Sequence, residues 1–139
     1  MNMPSWISAI LDSSAFRLIS RILLTLPFWL AGLQHAVQWP LTLGEMAHFG
    51  LNPPWLYGAL TILFCLAGSA AVIPGGRWTW LGAGALGIFT ALTIPIAHAF
   101  WKLSGDASLA ELRTVMEHVS IIGGLMVVAY AQNGRSKAT

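Results

Sequence analysis

Four unbroken apolar runs, at residues 18–37, 54–73, 78–101 and 115–132, occupy most of the chain, and its polar residues collect at the joints between them. A helix crossing a bilayer's hydrocarbon core needs about 20 mostly apolar residues. Three of the runs have that length, and the fourth reaches it once its polar first turn is counted. None alternates with the period of two over about 10 residues that a barrel strand would show. A helix satisfies its backbone hydrogen bonds internally, as lipid requires. The pattern therefore predicts an all-α integral membrane protein, an antiparallel four-helix bundle in one domain spanning residues 1–139.

The joints carry their own signals. Trp39-Pro40 places a proline where a helix can start, so Leu41–Phe49 reads as one or two turns closed by Gly50. Asn52-Pro53-Pro54 opens the second span, and Pro74-Gly75-Gly76-Arg77 is a tight turn into the third. After Ser104-Gly105-Asp106, Ser108 and Glu111 form an S-x-x-E capping box, which predicts that the fourth helix starts near Leu109. Ahead of the first span, Trp6, Ile7, Ile10 and Leu11 have the spacing of a short interfacial helix. No positive charge precedes them and no small-residue cleavage site follows, so this segment does not read as a signal peptide. Ala67 and Ala71, Ala83 and Gly87, and Gly123-Gly124 are small residues that let helices approach closely in lipid.

Charge sets the expected orientation. Arg17, Arg21, Arg77, Arg135 and Lys137 fall on one side of the predicted bundle. Lys102 and Arg113 fall on the other, among Glu45, Asp106, Glu111 and Glu117. The excess of basic residues on cytoplasmic loops predicts a multi-pass protein of the bacterial inner membrane with both termini inside. Trp39, Trp55 and Trp101 at one end, with Trp78 and Trp80 at the other, match interfacial anchors. A mean hydropathy of +0.69 with 9% charged residues leaves no soluble catalytic domain. The net charge of +2 is scattered beside spans, which argues against nucleic acid and for membrane lipid as the surrounding partner. Cys65, the single cysteine, excludes an intramolecular disulfide and a C-x-x-C motif; it reads as a small buried residue of span two.

The candidate chemistry lies at the end opposite the arginines, where His35, His48, His98 and His118 all map. Gln34 and Gln38 lie one turn apart on span one, Glu117, Ser120 and Gly124 share a face of span four, and Thr90, Thr93, Ala97 and Trp101 form a stripe on span three with His98 at its edge. Polar groups at membrane depth usually face the bundle interior or a water-filled cavity. They predict an outward-opening pocket lined by Gln34, His35, His98, Trp101, Glu117 and His118. Three contents stay open on the residues alone. A histidine and a carboxylate suit the head of a quinone, with tryptophan as its flat wall. His35, His98 and His118 are candidate ligands for a metal ion or haem, although no tight ligand spacing such as H-x-x-x-H is present. Alternatively the groups bond one another and only specify packing. No nucleophile, triad or cofactor fingerprint points to an enzyme acting alone.

At these residues the chain resembles the DoxX family of small four-span membrane proteins, including its YphA-like bacterial inner-membrane members. The resemblance covers residues 17–132. It begins with Arg21-Ile22-Leu23-Leu24 and Phe28-x-x-Ala31-Gly32-Leu33 and continues through Gly50-Leu51-x-Pro53-Pro54. It is sharpest at His98-x-Phe100-Trp101-x-Leu103-Ser104-Gly105-Asp106-Ala107 and Val119-Ser120-Ile121-Ile122-Gly123-Gly124. His35 stands where the family often has lysine, Glu117-His118 where it often has Lys-Asn, and Phe64-Cys65-Leu66 where an acidic residue is common. The resemblance implies a four-helix fold and a subunit or accessory of a membrane redox system linked to quinone, partnered by another redox subunit or by further copies of itself. A non-catalytic assembly or scaffold protein is the alternative.

Overall fold

The computed structural model describes the backbone of residues 3–136 and side chains as far as Gln132. Lys137 therefore lies outside the described residues, and Arg135 is placed only as a backbone position. Among the described residues there are six α-helices and no strand: α1 (Ser5–Asp12), α2 (Ser14–Val37), α3 (Trp39–His48), α4 (Pro54–Val72), α5 (Thr79–Ala97) and α6 (Gly105–Ser136). A single 3-10 turn, Phe100–Lys102, separates α5 from α6. Four of the helices are long and apolar enough to cross a membrane.

Local chemistry explains where these helices begin and end. Ser13 joins α1 to α2: its hydroxyl accepts from the Phe16 N–H at 3.1 Å and donates to the Ile10 carbonyl at 2.7 Å. Pro40 stands in the first turn of α3 and Pro54 opens α4, positions where a missing N–H costs nothing. At the far end of α3, Gly50 takes φ +72° and the Leu51 N–H reaches back to the Met46 carbonyl at 2.9 Å, a Schellman closure. The α4–α5 turn needs Gly75 and Gly76 at φ +79° and +97°, and the Arg21 guanidinium of α2 donates to its Pro74 carbonyl at 3.0 Å.

Two expectations about the later helices change. The third span reaches Trp101 as expected, running over Thr79–Lys102, but not as one helix: α5 stops at Ala97, after Pro95 has removed one backbone donor from the helical ladder. Ala99, at φ −73° and ψ 66°, then forms an inverse γ-turn closed by the Phe100 N–H on the His98 carbonyl at 2.8 Å. The fourth helix begins at Gly105, a turn before Leu109. Ser108 and Glu111 are thus already inside α6, and no capping box forms. Instead the Ser108 hydroxyl donates to the Phe100 carbonyl at 3.0 Å, and Glu111 reaches His98.

In the bundle α4 packs between α2 and α5, α5 packs against α6, and α2 touches α6 at a few points. The buried core is narrow: Phe28, Cys65, Val72, Ala83, Leu86 and Leu125. Large apolar side chains such as Leu23, Ile88, Met126 and Val127 face outward, as a chain solvated by lipid should have them. Close approach falls on Gly124, as expected, and on Gly82, which faces the expected Ala71. A Cβ on Gly82 would lie 2.7 Å from both the Gly68 carbonyl and the Ala71 Cβ; on Gly124 it would lie 2.8 Å from Leu24. Gly87 and Gly123 have open space around them.

Candidate functional site

The bundle has two chemically distinct ends. Arg21 and the Pro74–Arg77 turn meet at one. At the other, α3 lies across the start of α4 and beside the end of α2. Gly58 makes this possible, because a side chain there would meet Trp39 and Thr42 of α3. Behind α3, between α2, α4, α5 and α6, is a cavity of about 530 Å³. That volume lies within the range of small-molecule sites.

The walls change character along the cavity's length. Its deep part is apolar and aromatic, lined by Phe28, Phe64, Phe89, Ile121 and the Cys65 side chain, which is 1% exposed. Toward the α3 end stand His35, Glu45, His98 and His118. From Phe28 to His35 is two turns, so the apolar part extends roughly 10 Å below the histidines at 1.5 Å per residue. Met46 and Phe49 of α3 roof it.

Each of the three histidines lining the cavity is tied to the protein by one nitrogen. His98 Nδ1 lies 2.8 Å from Glu111 Oε2, where the carboxylate accepts. His118 Nδ1 lies 2.9 Å from the Thr114 carbonyl one turn earlier on α6. The two rings pack edge to face with centroids 4.8 Å apart. His35 Nδ1 is 3.1 Å from Thr42 Oγ1, which also lies 3.0 and 3.3 Å from the His35 and Gln38 carbonyls. Glu45 Oε2 is 3.8 Å from His35 Nδ1, too far for a hydrogen bond but close enough to attract the protonated ring.

Of the residues singled out from the sequence, His35, His98 and His118 come to the cavity. Gln34, Glu117 and Trp101 are exposed and do not line it. Trp101, 55% exposed, left the stripe of Thr90 and Thr93 when α5 ended at Ala97. Glu117 sits one position off the inward face of α6, which carries His118, Ile121 and Leu125. Among the described residues no three His, Cys, Asp or Glu side chains are grouped to hold one metal ion, so the three candidate ligands are not gathered into a metal set. His48 is exposed, its ring against Phe49.

Two carboxylates were missed, Glu45 and Glu111. Both had a usable signal. Glu111 precedes His118 by seven residues, and Thr42, Glu45, Met46 and Phe49 follow helical spacing on one face of α3.

Comparison with curated proteins and with solved structures returns no match. A family model described as DoxX matches residues 16–99. That stretch takes in α2 to α5 and ends one residue beyond His98, leaving Glu111 and His118 on α6 outside it. With well over half the chain matched and four membrane-length helices, this multi-pass membrane protein belongs to the DoxX family.

Proposed function

We propose that this protein is a subunit or accessory of a membrane redox system, and that its cavity holds a quinone or a related flat, apolar ligand. The observation that carries the reading is the cavity's polarity: an aromatic interior roughly 10 Å deep that ends at three histidines and the Glu45 carboxylate, with Glu111 bonded to His98. A ring bearing oxygen atoms would place them among the imidazoles, and an apolar tail would lie against Phe28, Phe64 and Phe89. Electron transfer would involve a partner subunit.

The same proposal places the chain in a bacterial inner membrane with both termini in the cytoplasm. It is supported by Arg17, Arg21 and Arg77 toward one end, against Lys102 and Arg113 diluted by Glu45, Asp106 and Glu111 at the other. The histidine end then faces outward.

Native mass spectrometry of protein released in mild detergent tests the ligand. An added mass matching a quinone, reduced in the His98→Ala and His118→Ala variants that still fold, is expected. A bare wild-type chain that also fails to take up added quinone would overturn the reading. Recovery of that bare chain with a second polypeptide would favour an assembly role.

A further inference from the structure

The hydrogen bonds at the cavity's polar end fix more than the positions of the rings. A neutral imidazole has one N–H donor and one acceptor nitrogen, and the partner of one nitrogen decides the role of the other. The Thr114 carbonyl can only accept, so His118 Nδ1 carries the hydrogen. The Glu111 carboxylate accepts from His98 Nδ1. Thr42 has one hydrogen within reach of the His35 and Gln38 carbonyls and of His35 Nδ1, so it does not fix the tautomer of His35. Assigned from these partners, the neutral His98 and His118 rings carry hydrogen on Nδ1 and leave Nε2 as a bare acceptor. Among the described residues none of these Nε2 atoms has a hydrogen-bond partner, and none is sealed from solvent as a buried, unsatisfied atom.

The hydroxyls on α5 point to the same bias. Thr90 and Thr93 line the cavity but donate to their own helix, to the Leu86 and Thr90 carbonyls at 2.7 and 2.8 Å. What they still offer a ligand is lone pairs. Tyr57 and Thr61 on α4 keep hydroxyl hydrogens that turn either way, so the polarity of the site rests on His98 and His118.

From this we infer that the cavity selects the reduced, hydroxyl-bearing form of its ligand. The inference rests on the cavity being a quinone-class site and adds which redox form it holds. A hydroquinone presents O–H donors that the Nε2 lone pairs accept, whereas a quinone presents carbonyl acceptors that would face them unpaired. Leaving buried acceptors opposed in this way loses the hydrogen bond and strands desolvated polar groups. Discrimination of this kind, set by a hydrogen-bond partner present or absent, exceeds what shape alone achieves.

The experiment compares one ligand in two redox forms. Full-length protein in detergent is titrated under anaerobic conditions with a short-tailed dimethoxybenzoquinone and with its hydroquinone. The work is done at about pH 8, where ordinary imidazole, titrating near 6.5, is neutral. The hydroquinone is expected to bind at least tenfold more tightly. In His98→Asn and His118→Asn the amide can replace Nδ1 toward Glu111 or Thr114, but nothing stands at Nε2. The ratio of the two affinities should fall toward one when both are combined. Equal or tighter quinone binding by the wild type overturns the inference while leaving a quinone-class site in place. Binding of neither form overturns both. A wild-type preference that persists unchanged in the double variant removes His98 and His118 as its cause and overturns the inference.

Discussion

At the scale of single residues, the proposed site turns on which nitrogen of a ring the protein holds. Imidazole nitrogen-15 shifts in labelled protein should show His98 and His118 as Nδ1–H tautomers at about pH 8; Nε2–H signals from them would remove the acceptor character of the site. Thr42 is 1% exposed and ties α3 to the His35 ring. Thr42→Val should cost about 1 kcal/mol in unfolding measurements and release the His35 ring from α3. Thr79, at the opposite end, is the converse case. Its Oγ1 is buried without a partner among the described residues, so replacing the hydroxyl by a methyl removes an unsatisfied group. Thr79→Val should raise stability by about 1 kcal/mol, read as a higher midpoint of thermal unfolding in detergent. A lowered midpoint would mean that the hydroxyl has a role in the membrane.

At the scale of helices, contact between α4 and α5 is set by backbone approach rather than by large side chains. In lipid no hydrophobic force drives two helices together, so van der Waals fit does. Gly82 is the tightest point because the atom opposite it is the Gly68 carbonyl, part of a backbone that cannot rotate away. Opposite Gly68 are the branched end carbons of Leu86, which can move more easily. Substitution by alanine should therefore rank Gly82 as the most destabilising, by about 1–3 kcal/mol, with Gly68 less so and Gly87 near neutral. Resistance to unfolding in a graded detergent series gives the order; an effect of Gly87→Ala as large as that of Gly82→Ala would contradict this packing. The helix ends matter equally. Because α5 stops at Ala97, His98 sits on an irregular bridge, and the early start of α6 lets Glu111 meet it.

At the scale of the whole molecule, a bundle with arginines at one end and a histidine-bearing cavity at the other should have a fixed orientation. In a Cys65→Ser background, a cysteine at Ser104 should react with an impermeant thiol reagent added outside intact cells, and one at Ser136 only after the membrane is opened. The reverse pattern would turn the cavity's mouth to the cytoplasm and overturn the proposed sidedness.

Much of this architecture was legible in the chain itself. Apolar run length, proline at helix starts and glycine at turns are local properties, which is why the four long helices and the separate α3 followed from them. The histidines could be gathered toward one end for the same reason, since topology alternates ends predictably. What the linear order did not settle was which face of each helix turns inward. One residue on a helix is a rotation of about 100°, enough to send Glu117 outward and bring His118 in. Nor did the sequence reveal where a helix breaks. The turn at Ala99 took Trp101 off the stripe of Thr90 and Thr93, and the earlier start of α6 made Glu111 a partner for His98 instead of a cap. The sequence by itself determined a membrane bundle with polar chemistry at one end, because burying apolar surface in lipid depends on composition and length. Only the tertiary structure decided which nitrogen His98 leaves free and where the His35 ring is held, because Glu111 and Thr42 reach those rings from other elements, within 3.1 Å.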